Sequence, residues 1–227
     1  TLYRNIGAGL FQDVTLQTRA GTGTRHRVTW GNALVDLDND GDRDLFICRG
    51  DLDDNVEQFE DLAEYGSANL VLMNDGAGRF VNVSDQVGSG LRVKQSSRGA
   101  GFDDLDGDGD IDAVILNSRQ TPTLLRNDTE RGRHWIDIRL QGVKANRSGV
   151  GAQVKVIAGA LTQVDEVRSG RGYQSHYGSR LHFGLGQHAR IDRIEVRWIG
   201  AGTDTFPDVL VAHVIILQEV NKPPIVD

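Results

Sequence analysis

Two runs of alternating aspartates stand out for the oxygen cage each would offer a metal ion. The first comprises Asp36, Asp38, Asp40, Asp42 and Asp44; the second comprises Asp104, Asp106, Asp108, Asp110 and Asp112. They align without a gap at an offset of 68. Carboxylates at positions 1, 3, 5 and 9 turn their oxygens inward, glycine at position 6 (Gly41, Gly109) permits the sharp turn, and position 7 offers a backbone carbonyl. Asp36, Asp38, Asp40 and Asp44 are therefore expected as side-chain ligands, with Asp42 giving its carbonyl. Asp104, Asp106, Asp108 and Asp112 repeat the set, with Asp110 giving the carbonyl. All-oxygen ligation favours Ca²⁺ over zinc or copper, and Mg²⁺ wants stricter octahedral geometry. Two calcium sites are expected. The bland alternative, two solvated Asp-Gly turns, leaves five carboxylates within nine residues to repel one another.

The loops need strands to hold them. An EF-hand would put a bidentate glutamate at position 12 and helices on both sides. Position 12 is Ile47 or Ile115, inside the apolar runs Leu45–Cys48 and Ala113–Leu116. A second match joins Asn5, Gly7, Gly9, Phe11, Val14 and Thr15 to Asn74, Gly76, Gly78, Phe80, Val83 and Ser84 at an offset of 69, and a degraded copy starts at Leu124-Leu125-Arg126-Asn127. Each unit reads strand, Asn-x-Gly-x-Gly hairpin, strand, longer loop, strand, Asp loop, strand. Leu37 and Leu105 are expected to anchor the loops in the core. The acidic insertion Asp51 to Tyr65 is expected to be solvated and to carry one short helix. After residue 133 the Asp loops stop. Residues 134–140 alternate, with Ile136, Ile138 and Leu140 on one face and Trp135, Asp137 and Arg139 on the other. Further strands are expected at 153–157, 161–167, 180–183, 191–198 and 209–217. The fold class is all-β: partial β-propeller-like blades with calcium loops over 1–133, then a β-sandwich-like domain over 134–227.

Composition narrows the function. The chain has 227 residues and a net charge of −7, and 25 of its 32 acidic residues are aspartate. Acid excess argues against nucleic acid as partner, since phosphate binding needs a basic face. The single cysteine, Cys48, excludes an intrachain disulfide framework and a cysteine-built zinc site. The longest apolar run, Val209 to Leu217, is broken by His213 and is too short to span a bilayer. A first residue of Thr1, with no signal peptide, is expected to reflect processing or excision from something longer.

The units resemble FG-GAP/VCBS repeats, which are blades of integrin-like β-propellers with calcium in an inter-strand loop. The tail resembles an ASPIC/UnbV domain in Arg147-Ser148-Gly149-Val150-Gly151-Ala152, Gly170-Arg171-Gly172-Tyr173-Gln174-Ser175, Arg180-Leu181-His182-Phe183-Gly184-Leu185-Gly186 and Val196-Arg197-Trp198. Together they are similar to the C-terminal part of secreted proteins related to the cartilage acidic protein family. The resemblance implies a secreted or cell-surface protein (extracellular or periplasmic) acting in binding, adhesion or extracellular structural assembly, with calcium structural. Its UnbV half also admits an alternative, a cyclase-like or accessory enzyme of natural-product biosynthesis. Such a propeller closes with seven blades, whereas this chain has about two and a half units. The open edges call for missing sequence, the second domain, a protein or glycan partner, or self-assembly into a homo-oligomer.

No catalytic set and no cofactor-binding loop emerges, and the chain reads as more a binder than an enzyme. His176, His182 and His188 lack a recognisable nucleophile, base and orienter, and His182 reads as a hydrogen-bonded strand residue. Arg126, Arg131, Arg133, Arg139, Lys144 and Arg147 read as a solvated or salt-bridged surface at the domain junction.

Overall fold

The computed structural model describes residues 1–129 and 132–220. Arg131 of the basic stretch and the last seven residues of the expected second domain lie outside them.

Runs rich in Val, Ile, Leu and Phe, punctuated by Gly, Asn and Asp, form antiparallel sheets, as expected. β1 (Tyr3–Gly7) and β2 (Leu10–Asp13) make a hairpin, followed by one helical turn, α1 (Thr15–Thr18). β3 (Thr29–Val35), β4 (Asp44–Arg49), β5 (Leu70–Asn74) and β6 (Phe80–Asn82) form a four-stranded sheet in chain order. β7 (Ser97–Asp103), β8 (Asp112–Asn117) and β9 (Thr123–Leu125) form a three-stranded one. Each Asp loop joins the first two strands of its sheet. The repeat read from the sequence is therefore phased one strand pair early, because β4 pairs with β5 across the acidic insertion. That insertion holds only a single 3₁₀ turn, Val56–Gln58.

The sheets stack face to face. On one face of the four-stranded sheet Leu45, Ile47, Leu70, Leu72 and Phe80 pack with Ala20 and the half-buried Leu2. On the other, Phe46, Cys48 and Val71 pack against Phe102, Ala113 and Ile115 of the next sheet. The inner strands touch backbone to backbone, since a Cβ on Gly31 would lie 2.6 Å from the Arg98 carbonyl oxygen. One expectation fails here. Leu37 packs against the core between the two sheets, but Leu105 is 53% exposed. Among the described residues, no further sheet lies beyond the side of β8 that would cover Leu105.

The C-terminal part is a sandwich. β10 (His134–Gln141), β13 (Arg180–Gly186) and β16 (Val214–Gln218) form one sheet in the order β13–β10–β16. β11 (Gln153–Ala158), β12 (Leu161–Glu166), β14 (Ile191–Trp198) and β15 (Gly202–Val209) form the other, in the order β12–β11–β14–β15. β10 and β16 run parallel, whereas the other pairs of the sandwich are antiparallel. Ile136, Ile138, Leu181 and Phe183 from one sheet meet Val154, Val156, Ile194 and Val196 from the other, all fully buried. Each such side chain contributes about 1.5–3 kcal/mol of burial. The expected strand over 209–217 is two strands: Val209 ends β15, and a turn with Ala212 at φ +61° precedes β16. β15 escaped notice because it is polar and contains Pro207, which an edge strand tolerates.

Candidate metal centres and their docking strand

Both Asp loops are wound around their first aspartate. Asp36 Oδ1 accepts the Asp40 N–H at 3.2 Å and Oδ2 the Gly41 N–H at 2.9 Å. Asp104 Oδ1 accepts the Gly107 N–H at 2.7 Å and Oδ2 the Gly109 N–H at 3.0 Å. Gly41 and Gly109 have φ of +98° and +94°, a region where glycine meets no steric penalty. This winding brings one carboxylate oxygen each of Asp36, Asp38 and Asp40 within 4.8 Å of one another, and does the same for Asp104, Asp106 and Asp108.

The ninth position has a different task. Asp44 Oδ2 accepts the Leu37 N–H at 2.9 Å and Oδ1 the Asn74 N–H at 2.8 Å. Asp112 repeats this with Leu105 at 3.0 Å and Asn127 at 2.8 Å. Each closing aspartate ties the start of its loop to the third strand or to the residues just after it, and stands apart from the close trio. At the seventh position, expected to give a backbone carbonyl, the side chains of the two loops differ: Asp42 lies beside Gly76 of the hairpin, while Asp110 Oδ1 accepts from Asn39 Nδ2 at 2.9 Å.

Close carboxylates in a buried setting resist ionisation. Burial pushes the Asp36 carboxyl up to about 6; His182 opposes the shift, and Asp40 and Asp38 add to it. Burial raises Asp44 to about 7 against the two backbone hydrogen bonds it accepts. Asp38 Oδ1 is buried and takes no well-aligned hydrogen bond, although Arg133 Nη1 stands 2.6 Å from it. Both trios are sets of hard oxygen donors chemically suited to a divalent cation, and the first adds the under-used Oδ1 of Asp38 and the raised proton affinity of Asp36.

The C-terminal sandwich grips both loops through β13. In a strand alternate residues face opposite sides, so Leu181, Phe183 and Leu185 enter the sandwich core while Arg180, His182, Gly184 and Gly186 face the Asp loops. Arg180 Nε donates to Asp103 Oδ1 at 2.7 Å, and its Nη2 donates to the Asp104 carbonyl. His182 Nε2 lies 2.7 Å from Asn39 Oδ1, and its Nδ1 lies 2.8 Å from Asp137 Oδ1. Asn39 Nδ2 donates onward to the Gly109 carbonyl at 3.0 Å as well as to Asp110. A Cβ on Gly184 would collide with Asp36 Oδ2 and the Asn39 backbone, and the Gly186 N–H donates to the Asn39 carbonyl at 2.8 Å. The indole of Trp135 sits over Gly109, leaving no room for a side chain there. The expectation that His182 is a hydrogen-bonded strand residue holds. Asp137, expected beside the exposed Arg139, is fully buried and also lies 3.3 Å from Arg180 Nε.

Sequence reasoning missed Asn39, Asn74, Asn127, Asp137 and Arg180. The signal for Asn74 and Asn127 was present, since an asparagine opens each Gly-rich hairpin. A cavity of about 800 Å³ opens between the four- and three-stranded sheets around Met73, Val83, Leu124 and Leu125. Its described lining holds no histidine or cysteine. No described helix is long and apolar enough to cross a membrane.

No curated protein matches the chain. The family described as ASPIC and UnbV matches residues 142–224, a span that begins just after β10. The match covers most of the C-terminal sandwich, including β13, the strand seated on both Asp loops.

Proposed function

We propose that this chain is a calcium-binding β-repeat protein, secreted or at the cell surface, that acts in binding or structural assembly, with calcium as a structural ion. The observation that carries this reading is the duplication. Two loops 68 residues apart share the same turn glycine, the same aspartate winding and the same trio of close carboxylates. A fortuitous acidic turn has no reason to recur with its hydrogen bonds intact. Asp36, Asp38 and Asp40 would hold one ion and Asp104, Asp106 and Asp108 the other, while Asp44 and Asp112 fix the loop frame. The ion would neutralise carboxylates that burial otherwise disfavours.

The blade-like phasing of strands and Asp loops supports kinship with FG-GAP/VCBS repeats. Sites with a Kd of roughly 10 μM fill at extracellular but not cytosolic calcium. At a hundredfold excess of ion each would stabilise the fold by about 2.7 kcal/mol. The partner on this reading is a protein, a glycan or another copy of the chain. The test is the melting temperature with calcium and with chelator, paired with native mass. A rise of several degrees and a mass gain of two calcium ions are expected. A melting temperature and mass indifferent to both would overturn the reading.

A further inference from the structure

We infer that Arg133 is an internal counter-cation of the first Asp loop, one that attenuates the affinity of that loop for calcium and ties its occupancy to the start of β10. This rests on the calcium reading above and concerns the regulation of the same site.

The geometry of one nitrogen supplies the argument. Arg133 Nη1 lies 2.6 Å from Asp38 Oδ1, donates to the Asp38 carbonyl at 2.8 Å and stands 3.8 Å from Asp40 Oδ2. Calcium sits about 2.3–2.6 Å from its carboxylate oxygens, so a positive group already stands at nearly ionic distance from one member of the trio. Asp38 Oδ1 is buried and takes no well-aligned hydrogen bond. What holds the guanidinium to that oxygen is therefore charge rather than direction. An incoming ion has the same attraction and twice the charge. It must take Asp38 from Arg133 or share it, and in both cases the arginine's charge opposes the ion's.

Arg133 is placed by the C-terminal sandwich, not by the loop that it touches. It directly precedes His134, whose partner in the ladder is Gly186 at the end of β13. The Gly132 carbonyl accepts from Gln187 Nε2 at 3.3 Å. Gly186 itself donates to the Asn39 carbonyl in the middle of the loop. The end of β13 thus brings the first loop a backbone donor directly and a cation by way of β10. Coupling between two binding events is reciprocal. As Arg133 weakens the hold on the ion, so the ion loosens Arg133, and residues 132–135 become freer while the loop tightens around its metal.

The experiment is calorimetric calcium titration of the whole chain at low salt, in a background of Asp106→Asn with Asp108→Asn that leaves the first trio intact. Asparagine keeps the side-chain oxygens that accept the Asp108 and Asp110 N–H groups, and thermal melts check folding. Arg133→Gln should bind calcium about fivefold more tightly than the parent with arginine, the scale of a half-exposed ion pair. The gap should narrow in about 1 M salt, which screens the guanidinium. Arg133→Lys, which keeps the charge, should stay close to the parent. Hydrogen exchange reads the linkage: calcium should slow residues 36–44 and quicken residues 132–135. If the background does not fold, the titration is done with both loops intact, and Arg133→Gln must then tighten one of the two affinities and spare the other. Calcium binding that Arg133→Gln weakens or leaves unchanged overturns this inference and leaves the metal reading intact, as does slower exchange at 132–135 with calcium. Calcium taken up by none of these proteins overturns the metal reading, and this inference with it.

Discussion

Asp36 and Asp44 are held where a carboxylate is uncomfortable, and that fixes how stability responds to pH. An unfolded aspartate titrates near about 3.9, while the folded values are about 6 for Asp36 and about 7 for Asp44. Between these values the folded state holds the extra protons, so stability in chelator falls as pH rises from about 4 to about 7, then levels off. On the calcium reading proposed above, the ion would compete with the proton on Asp36. The gain in melting temperature from calcium should be full at pH 8 and shrink towards pH 5, and scanning calorimetry at several pH values with and without the ion checks both slopes. Asp112→Ala strands the Leu105 and Asn127 N–H groups and should cost about 2–4 kcal/mol in urea unfolding, at about 1–2 kcal/mol per orphaned donor. Cys48 is fully buried, and burial pushes its thiol up to about 12. It should therefore ignore thiol reagents in the folded chain and react on unfolding, when its thiolate becomes accessible.

Among the elements, β13 does two jobs with one alternating pattern. Its odd partners (Leu181, Phe183, Leu185) fill the sandwich, and its even ones (Arg180, His182, Gly184, Gly186) hold the Asp loops. His182→Ala removes the link from Asp137 to Asn39 and leaves a buried carboxylate with Arg180 as its remaining partner. Faster hydrogen exchange in β13 and in both Asp loops is expected, with the β11–β14 ladder unchanged. Exchange confined to the site of substitution would contradict the linkage. The Asp loops were legible in the sequence because their chemistry is local: nine residues contain the winding, the glycine and the carboxylates. What they touch was not legible, because Asn39 and His182 meet across 143 positions and neither residue is unusual in its own segment. The same reason hid Asp137, whose alternation correctly assigned it to the face away from the core but not to a second buried surface. β15 was invisible for a different reason, since a polar edge strand with a proline has no pattern of its own.

For the whole molecule, the acidity is concentrated rather than spread. Residues 36–44 and 103–112 hold eleven of the 32 acidic residues and one basic residue, Arg43, leaving 24 basic against 21 acidic elsewhere. With two calcium ions bound the charge of −7 would become −3, and the surface outside the loops is mildly basic. The argument from composition against polyanionic partners is correspondingly weaker. The parallel pairing of β10 with β16 also sets an order of events. β10 takes β13 on one side, but its other edge is completed by residues 214–218, about 75 positions further along the chain. Long-range parallel pairing is slow because the loop must close before contacts reward it. During synthesis the first sandwich sheet therefore has an open side until β16 leaves the ribosome. Ribosome-bound chains ending before residue 214 should be cut by protease within the sandwich, while those with β16 extruded should resist. The segment that seats on the Asp loops is thus secured only once β16 has emerged.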